Sequence, residues 1–303
     1  MNSTPRPTVK LALDRLEERD APAAGVALVG SRLEINGDDA ANAIVVTDDG
    51  HGGVTATITT GGSVVSGGGK GVSKVVINAG GGNDSLDYRL TANRLNAEDL
   101  NIDMGAGNDH VRLDLYRGVS GVPLNLNLDL GAGNDSAEVL FGPVDNADVK
   151  VKAALGAGAD SLTFVMFNGL SGKSHLALDV AGGGGADRVD VNVMGKIDAG
   201  STLDVHAANT ASADDRFVVR YKGELDGKLN VTIDQAAAGY GVQGYFALEA
   251  ASAGKLTTSV DDGHKSYHSS LVVSDHGGLK KVTVLDRLGL FLTEADGTKL
   301  TVG

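Results

Sequence analysis

Five aspartates recur through the middle of the chain, each at the end of a glycine-rich segment, with spacings of 25, 26, 25 and 27 residues: Asp84, Asp109, Asp135, Asp160 and Asp187. Carboxylate oxygens are the ligands that hard divalent cations prefer. If equivalent segments stack at the distance between neighbouring β-strands, about 4.8 Å, adjacent carboxylates repel each other by about 3–4 kcal/mol at an effective dielectric constant near 20. The spacing therefore predicts a row of carboxylates that needs positive counter-charge.

Glycines stand two and four residues before each of these aspartates, and asparagine directly precedes the first three. Calcium suits such a segment because it accepts about six to eight oxygen ligands in loose geometry, which carboxylates and the carbonyl groups of glycine turns can supply. Magnesium fits less well because it demands strict octahedral geometry. Ala159 and Ala186 replace the asparagine in the last two copies, so we expect weaker sites there. Besides the five aspartates, the predicted calcium ligands are Gly80, Gly82, Gly105, Gly107, Gly131, Gly133, Gly156, Gly158, Gly183, Gly185, Asn83, Asn108 and Asn134.

Apolar and polar residues alternate on both sides of each glycine-rich segment. In the stretch LNLNLDLGAGNDSAEVLF, residues 124–141, leucines alternate with asparagine and aspartate, the chain turns, and the alternation resumes. In all five copies the residues two, four and six positions after the aspartate are apolar, and so are those seven and nine positions before it. Period-two alternation of this length is typical of a half-buried β-strand. Each repeat is therefore predicted to be a strand, a turn, a second strand and a longer polar connection.

These repeats predict an all-β fold, a parallel β-solenoid or β-roll with coils of about 25 residues, because identical turns, inward positions and lengths suit stacked equivalent coils. An antiparallel meander or barrel of successive hairpins is the alternative. Weaker copies flank the array, with Asn42 at the aspartate position on one side and Asp214 and Asp215 on the other. We predict three regions: an N-terminal segment with a short amphipathic helix over residues 1–24, the solenoid over 25–220, and a β-rich C-terminal cap over 221–303.

The composition supports this architecture and excludes several classes of site. Of the 303 residues, 42% are hydrophobic but only 4% are aromatic, none is Trp and 44 are Gly, so the core must consist of small aliphatic side chains between many turns. A formal net charge of -13 argues against nucleic acid and anionic membranes as partners. Without cysteine the chain has no disulfide, thiolate metal site or cysteine nucleophile. No apolar run predicts a membrane span, and no cleavable signal peptide is evident.

The glycine-rich segments resemble the hemolysin-type, or RTX, calcium-binding repeat, whose nonapeptide is Gly-Gly-x-Gly-x-Asp-x-U-x, where U is a large apolar residue. The resemblance covers roughly residues 75–195 and implies bound calcium and a β-roll. Two departures weigh against the family's calcium ladder on both edges: the turn recurs only once per coil, and only Gly182 keeps the first glycine. The N-terminal stretch LDRLEERDAPA resembles a short tag, Leu-Glu-x-Arg-x-x-Pro-Ala, of large exported bacterial repeat proteins, which implies export.

From these features we expect a non-enzymatic, calcium-binding module with a structural or adhesive role, secreted or held at the cell surface, with calcium ions and cell-surface polysaccharide or other surface proteins as partners. One alternative is a carbohydrate-active enzyme, a polysaccharide lyase or hydrolase, on a β-helix. Another is a structural β-repeat that binds no metal, whose aspartates cap free amides of tight turns. No nucleophile elbow or zinc-protease motif is present, and we predict no catalytic residue. The stretches GGGKG, residues 67–71, and GLSGKS, residues 169–174, lack the full phosphate-loop motif and are predicted to be ordinary turns.

Overall fold

The computed structural model describes residues 23–209, 215–235, 242–248, 255–261, 270–274, 281–286, 291–295 and 301–302. These residues form a parallel β-solenoid without any helix, which confirms the predicted all-β class. The predicted N-terminal helix lies outside them. Within this part of the chain there is accordingly no helix with the length and apolar character that a bilayer span requires.

The described residues form 27 strands. In chain order they are β1 (Gly25–Val29), β2 (Arg32–Asn36), β3 (Asn42–Asp48), β4 (Val54–Thr60), β5 (Ser63–Gly69), β6 (Lys74–Asn78), β7 (Ser85–Leu90), β8 (Glu98–Asp103), β9 (His110–Leu115), β10 (Val119–Ser120), β11 (Leu124–Asp129), β12 (Ser136–Phe141), β13 (Val144–Asp145), β14 (Asp148–Ala154), β15 (Ser161–Met166), β16 (Leu170–Ser171), β17 (His175–Ala181), β18 (Arg188–Met194), β19 (Thr202–Asn209), β20 (Arg216–Gly223), β21 (Lys228–Gln235), β22 (Val242–Leu248), β23 (Lys255–Asp261), β24 (Ser270–Ser274), β25 (Lys281–Asp286), β26 (Phe291–Ala295) and β27 (Thr301–Val302).

Each coil contributes one strand to each of two long sheets. Sheet A has the strand order β1-β2-β6-β8-β11-β14-β17-β19-β21-β23-β25-β27, and sheet B has the order β26-β24-β22-β20-β18-β15-β12-β9-β7-β3-β4-β5. The glycine-rich segments join sheet A to sheet B at one corner. The returning connection from sheet B to sheet A carries a short third sheet, sheet C, of order β10-β13-β16.

Consecutive coils stack in register, so that equivalent residues lie side by side. Leu126 in β11 pairs with Leu100 in β8 and with Val151 in β14, and all three strands are parallel. Every apolar residue that the alternation places inward is buried, with at most 5% of its surface exposed. The predicted strand faces and the solenoid are confirmed, and parallel pairing rules out the meander of hairpins for these coils.

The absence of the nonapeptide's first glycine from most coils has a structural reason. In four coils this position holds an apolar residue that is 0% exposed: Ala79, Met104, Leu130 and Leu155. Each of these residues directly follows a strand of sheet A and adds its side chain to the core. A glycine there would leave the core short of apolar volume, which is costly in a close-packed interior.

The N-terminal end departs from the parallel pattern. β1 pairs antiparallel with β2, and β3, β4 and β5 form an antiparallel unit at the edge of sheet B. The turn predicted for GGGKG was therefore wrong in part, because Gly67–Gly69 lie in β5. A Cβ on Gly69 would lie 2.4 Å from Leu28 Cδ2 of β1, so glycine allows the two edge strands to approach each other closely. The two edge strands therefore lie against each other at the N-terminal end of the solenoid.

Two further segments bear on the sequence predictions. The stretch GLSGKS contains the short strand β16 between two turn glycines, so it is not wholly a turn. The predicted boundary at residue 220 falls inside β20. Parallel pairing continues beyond it, from β20 through β22 and β24 to β26 and from β21 through β23 and β25 to β27. In the described parts of 221–303, the strands thus pair as they do in the array.

Candidate functional site at the glycine-rich corner

The corner between sheets A and B consists of glycine-rich segments stacked on one another. The amide of Ala106 donates to the carbonyl oxygen of Gly80 in the coil before it, at 3.0 Å, and the amide of Gly107 donates to the carbonyl oxygen of Ala132 in the coil after it, at 2.8 Å. Each corner is therefore hydrogen-bonded to both neighbours. The residues midway between the two glycines form consecutive parallel bridges: Gly81, Ala106, Ala132, Ala157 and Gly184.

The glycines of the corner are required by its backbone. All ten glycines predicted as ligands have φ between 89° and 145°, where side chains other than glycine are strained. A Cβ on Gly107 would lie 1.6 Å from the carbonyl oxygen of Gly82, and one on Gly133 would lie 1.7 Å from that of Gly107. Close stacking of the coils alone therefore explains why glycine recurs at these positions.

The five aspartates form a row in which each is only 2% exposed. The Oδ1 atom of each accepts the backbone amide of the equivalent residue in the preceding coil, at N···O distances of 2.7 to 3.0 Å. The row begins at Asn42, whose amide donates to Asp84, and extends to Asp215, whose Oδ1 accepts the amide of Asp187. Asp214, the other acid of that weak copy, lies outside the described residues. The sequence predicts this stacking and, as one alternative, amide capping by the aspartates; the burial of the row and the fact that each bonded amide belongs to the preceding coil emerge only from the structure.

The three asparagines form a second row, on the exposed side of the corner. The Oδ1 atom of Asn83 accepts the amide of Asn108 at 2.8 Å, and that of Asn108 accepts the amide of Asn134 at 2.7 Å. Asn134 in turn accepts the amide of Ala159, whose side chain has no oxygen to continue the row. These bonds run from later coils to earlier ones, opposite to the aspartate bonds. The structure thus separates the predicted asparagine ligands from the buried aspartates.

Several corner oxygens remain available for a ligand. The Oδ2 atoms of the five aspartates are buried and have no hydrogen-bond partner among the described residues. The carbonyl oxygens of Gly80, Gly105, Gly131 and Gly156 accept amides from the next coil. Those of Gly82, Gly107, Gly133 and Gly158 accept no backbone amide in the described corner. A donor set made only of carboxylate and carbonyl oxygens fits a hard cation such as calcium.

The geometry also limits what kind of metal site this is. Among the described residues, no three His, Cys, Asp or Glu side chains come together as a metal-binding group. The aspartates follow each other along the axis of the solenoid instead of converging on one point. A cation here would therefore draw on carboxylates of successive coils together with backbone carbonyl groups.

Burial perturbs the acidity of this row. It raises the pKa of Asp109, Asp160 and Asp187 to about 6, with the charges of neighbouring aspartates adding to the effect and the accepted amide bond opposing it. Burial likewise raises the pKa of Asp84 and of Asp135. The physical cause is that a charged carboxylate is less stable away from water than a protonated one.

We predict that the metal-free protein loses stability as the pH rises from about 4 to about 7. Because the folded pKa values of about 6 exceed the usual 3.8, the folded state binds protons more tightly than the unfolded chain. This stabilisation is complete below the unfolded value and is lost as the pH rises through the folded one. Thermal melts in chelator across this range measure it.

The matched variant for this pH series is Asp109→Asn combined with Asp160→Asn and Asp187→Asn, which removes three of the perturbed groups. Its melting temperature should change less with pH than that of the wild type, since amide side chains do not titrate. A wild-type melting temperature that rises across the window, or one whose slope the variant leaves unchanged, contradicts the prediction.

Outside the corner, the outer face of sheet A carries a shallow groove of about 540 Å³. Its ionisable lining residues are Asp103, Asp129, Lys152, Asp179 and His206, and its lining contains no Phe, Tyr or Trp. Such a groove offers hydrogen-bonding groups but none of the large aromatic rings on which sugars commonly stack. The predicted alternative of a carbohydrate-active enzyme therefore stays a prediction without a defined reaction centre.

Comparisons of the chain with protein-family models, with curated proteins and with solved structures gave no match.

Proposed function

We propose that this protein is a non-enzymatic calcium-binding repeat protein, in which the buried aspartate row binds calcium and rigidifies the solenoid as a structural or adhesive module outside the cell. One observation carries the proposal: five buried carboxylates recur at intervals of one coil, and each keeps an oxygen that has no hydrogen-bond partner in the described part of the chain. A buried polar atom without a partner is costly, and a buried charge is more so.

Electrostatics makes a cation the natural partner of this row. At neutral pH the carboxylates with a pKa of about 6 are mostly ionised. Each then faces a like charge one coil away on either side, and the single amide bond to Oδ1 offsets only part of the cost of burial. A divalent cation between neighbouring carboxylates would replace this repulsion by attraction.

The residues suited to hold calcium are the five aspartates, through Oδ2, with the carbonyl groups of Gly82, Gly107, Gly133 and Gly158 as further oxygen donors. Calcium is favoured over magnesium because it accepts a variable number of oxygens in irregular geometry. This assignment agrees with the resemblance to the RTX repeat, for turns on a single edge of the solenoid. Asn83, Asn108 and Asn134 would act indirectly, by holding neighbouring corners together.

The proposed setting is the cell surface or the extracellular medium. Calcium sites of extracellular modules typically have dissociation constants of about 10⁻⁴–10⁻³ M, which suit the calcium concentration outside cells. A rigid solenoid with exposed polar faces would present those faces to surface polysaccharide or to other surface proteins. The export-like tag near the N-terminus supports the same setting.

Thermal melts of chelator-treated protein, with and without added calcium, test this proposal. At a free calcium concentration about 100 times the dissociation constant, one site should add about 2.7 kcal/mol, or roughly 5–10 °C in melting temperature. Several sites should add more. Magnesium at the same concentration should give a much smaller shift, and titration calorimetry counts the sites.

Two double variants locate the effect. Asp109→Asn with Asp135→Asn removes two neighbouring carboxylates of the buried row, and should abolish most of the calcium shift. Asp103→Asn with Asp129→Asn removes two exposed carboxylates that are register neighbours on the outer face of sheet A, and should leave the shift intact. Identical melts with and without calcium, or equal loss of the shift in both variants, would reject the corner as a calcium site.

A metal-independent structural repeat is the second candidate. It is favoured by the bonds already made at the corner, where each Oδ1 accepts an amide and each glycine is required by coil stacking. In that case protons on the buried carboxylates would take the place of bound cations, and the protein would be most stable in mildly acidic solution. The pH series in chelator and the calcium melts together separate the two candidates.

A further inference from the structure

A buried charged cluster lies near the N-terminal end of the solenoid, at positions where the next coil holds apolar residues. Its charged members are Asp48 at the end of β3, Arg94 in the connection after β7, and Glu98 at the start of β8, which are 0%, 0% and 3% exposed. Tyr88 of β7 completes it and is fully buried. Charged side chains are almost never buried to this extent unless they are paired.

The contacts join all four side chains. The Arg94 guanidinium forms ion pairs with Asp48 through Nη2 and with Glu98 through Nη1. The Tyr88 hydroxyl donates to Asp48 and accepts from Arg94 Nη2 at 3.2 Å. The second oxygen of Asp48 accepts the amide of Gly50 at 2.7 Å. One guanidinium therefore pairs with two carboxylates at a site where all three side chains are buried.

The fold itself does not require these charges. In the coil that stacks on each member, the equivalent residue is apolar: Leu90 lies beside Asp48, Val119 beside Arg94, and Leu124 beside Glu98. In the coils after that of Val119, the residues equivalent to Arg94 are also aliphatic: Val144, Leu170, Ile197 and Leu225. Buried ion pairs are often no more stabilising than apolar residues of similar volume. The cluster therefore calls for an explanation other than stability.

We propose that this cluster fixes the register and the location at which the N-terminal cap, defined as β1 to β5, docks on the repeat array. Asp48 belongs to the cap, whereas Tyr88, Arg94 and Glu98 belong to the array. The cluster thus joins the two parts, and it forms only when β3 lies on β7 with Asp48 beside Leu90. The inference goes beyond the proposed function and does not depend on calcium.

The repeat itself creates the need for such a device. Successive coils present nearly the same apolar columns, so β3 could pack on a different coil, or on a coil of another chain, with similar apolar contacts. A slip of two residues keeps every side chain on its proper face, so alternation alone does not exclude it. In each wrong arrangement Asp48 would be buried away from Arg94, and Arg94 would retain only Glu98. An unpaired buried charge makes these arrangements unfavourable.

The test uses a variant in which the cluster takes the residues of the neighbouring coil: Asp48→Leu, Arg94→Val and Glu98→Leu, with Tyr88→Phe to remove the hydroxyl. We expect this apolar variant to keep its β-sheet circular dichroism and a melting temperature at least equal to that of the wild type. A second variant, Asp48→Asn with Arg94→Gln and Glu98→Gln, removes the charges. We call it the isosteric variant because the two acids keep their shape, while the side chain at position 94 becomes shorter and neutral.

Disulfide trapping reports the register, and the absence of cysteine from the chain leaves no background. Val45 pairs with Asp87 in the native register, so Val45→Cys with Asp87→Cys should give a crosslinked monomer. Val45→Cys with Arg89→Cys reports a slip of two residues, and crosslinks between chains report a cap docked on another molecule. Samples are kept in chelator and analysed by non-reducing electrophoresis and native mass spectrometry.

In the wild-type background only the native crosslink should form. In the apolar variant, roughly a tenth or more of the chains should crosslink out of register or between molecules. This fraction corresponds to a state about 1.4 kcal/mol above the native one. If the apolar variant does not fold, the same result is expected of the isosteric variant. A folded variant that forms the native crosslink alone and stays monomeric would overturn the inference. Unfolding of both variants would overturn it as well, because the cluster would then supply stability instead of specificity.

Discussion

Gly133→Ala should unfold the centre of the array, whereas Gly184→Ala should leave it folded. Gly133 has a φ of 145°, and a Cβ there would lie 1.7 Å from the carbonyl oxygen of Gly107 in the preceding coil. The unusual backbone conformation costs about 1–3 kcal/mol for alanine, and displacing backbone in a packed interior adds about as much again. Guanidinium unfolding followed by circular dichroism measures the loss.

Gly184 is the matched control because it lies in an equivalent glycine-rich turn, two coils after that of Gly133. It stands between the strained glycines Gly183 and Gly185. A Cβ there meets nothing within 4 Å, and the residue that bridges to it in the preceding coil is Ala157. Repeat arrays can lose local stability without complete unfolding, so hydrogen exchange at the corner amides should accompany the melts. Equal stability of the two variants would contradict the prediction. It would mean that the turn at Gly133 can move away from the turn at Gly107 without any loss of stability.

Leu128→Asp should abolish folding of the array, whereas Asn127→Asp should be tolerated. Leu128 is 3% exposed and faces the core of sheet A, while Asn127, the preceding residue, faces solvent. The change at Leu128 loses about 1.5–3 kcal/mol of apolar burial and buries a carboxylate without a partner, which costs several kcal/mol more. Together these terms approach the whole stability of a typical domain, about 5–15 kcal/mol.

Both variants introduce the same side chain, so their comparison isolates the face of the strand. Soluble expression, circular dichroism and thermal melts suffice to measure the difference. The side-chain Nδ2 of Asn127 donates to Asn101 Oδ1 at 2.8 Å, so a small loss of stability is expected for Asn127→Asp from this exposed bond. Comparable loss of folded protein in both variants would contradict the assignment of the two faces.

The faces of the strands could be predicted from the sequence because apolar burial has the same period as the strand. Residues such as Leu126 and Leu128 alternate with asparagines, and an error of one residue in register would bury every polar side chain. The glycine-rich corner marked where the alternation changes from one sheet to the other. Together with the near-constant repeat length, these two signals favoured the solenoid and the stacking of the aspartates, and the parallel strand pairing then ruled out the meander of hairpins.

The remaining features depend on contacts between distant residues. Whether Asp109 binds water, a cation or a backbone amide depends on the coil beside it, and the sequence does not show which groups that coil presents. The hairpins of the cap were missed because β3 and β4 alternate just as the coils do. For Asp48 a signal existed: it stands six positions after Asn42, where the other copies have an apolar residue. Arg94 lies in a connection, where no periodicity indicates burial.

The opposite directions of the two corner rows have a consequence for synthesis. The amide of Asp109 finds its acceptor on Asp135, which leaves the ribosome 26 residues later, whereas the amide of Asn134 finds its acceptor on Asn108, already made. A growing chain, or one threading through a membrane pore from its N-terminus, can therefore close the asparagine bond at once but must wait one coil for the aspartate bond. Each newly emerged coil needs the next coil to complete its hydrogen bonds, so an array interrupted between two coils ends in an amide that lacks its aspartate acceptor.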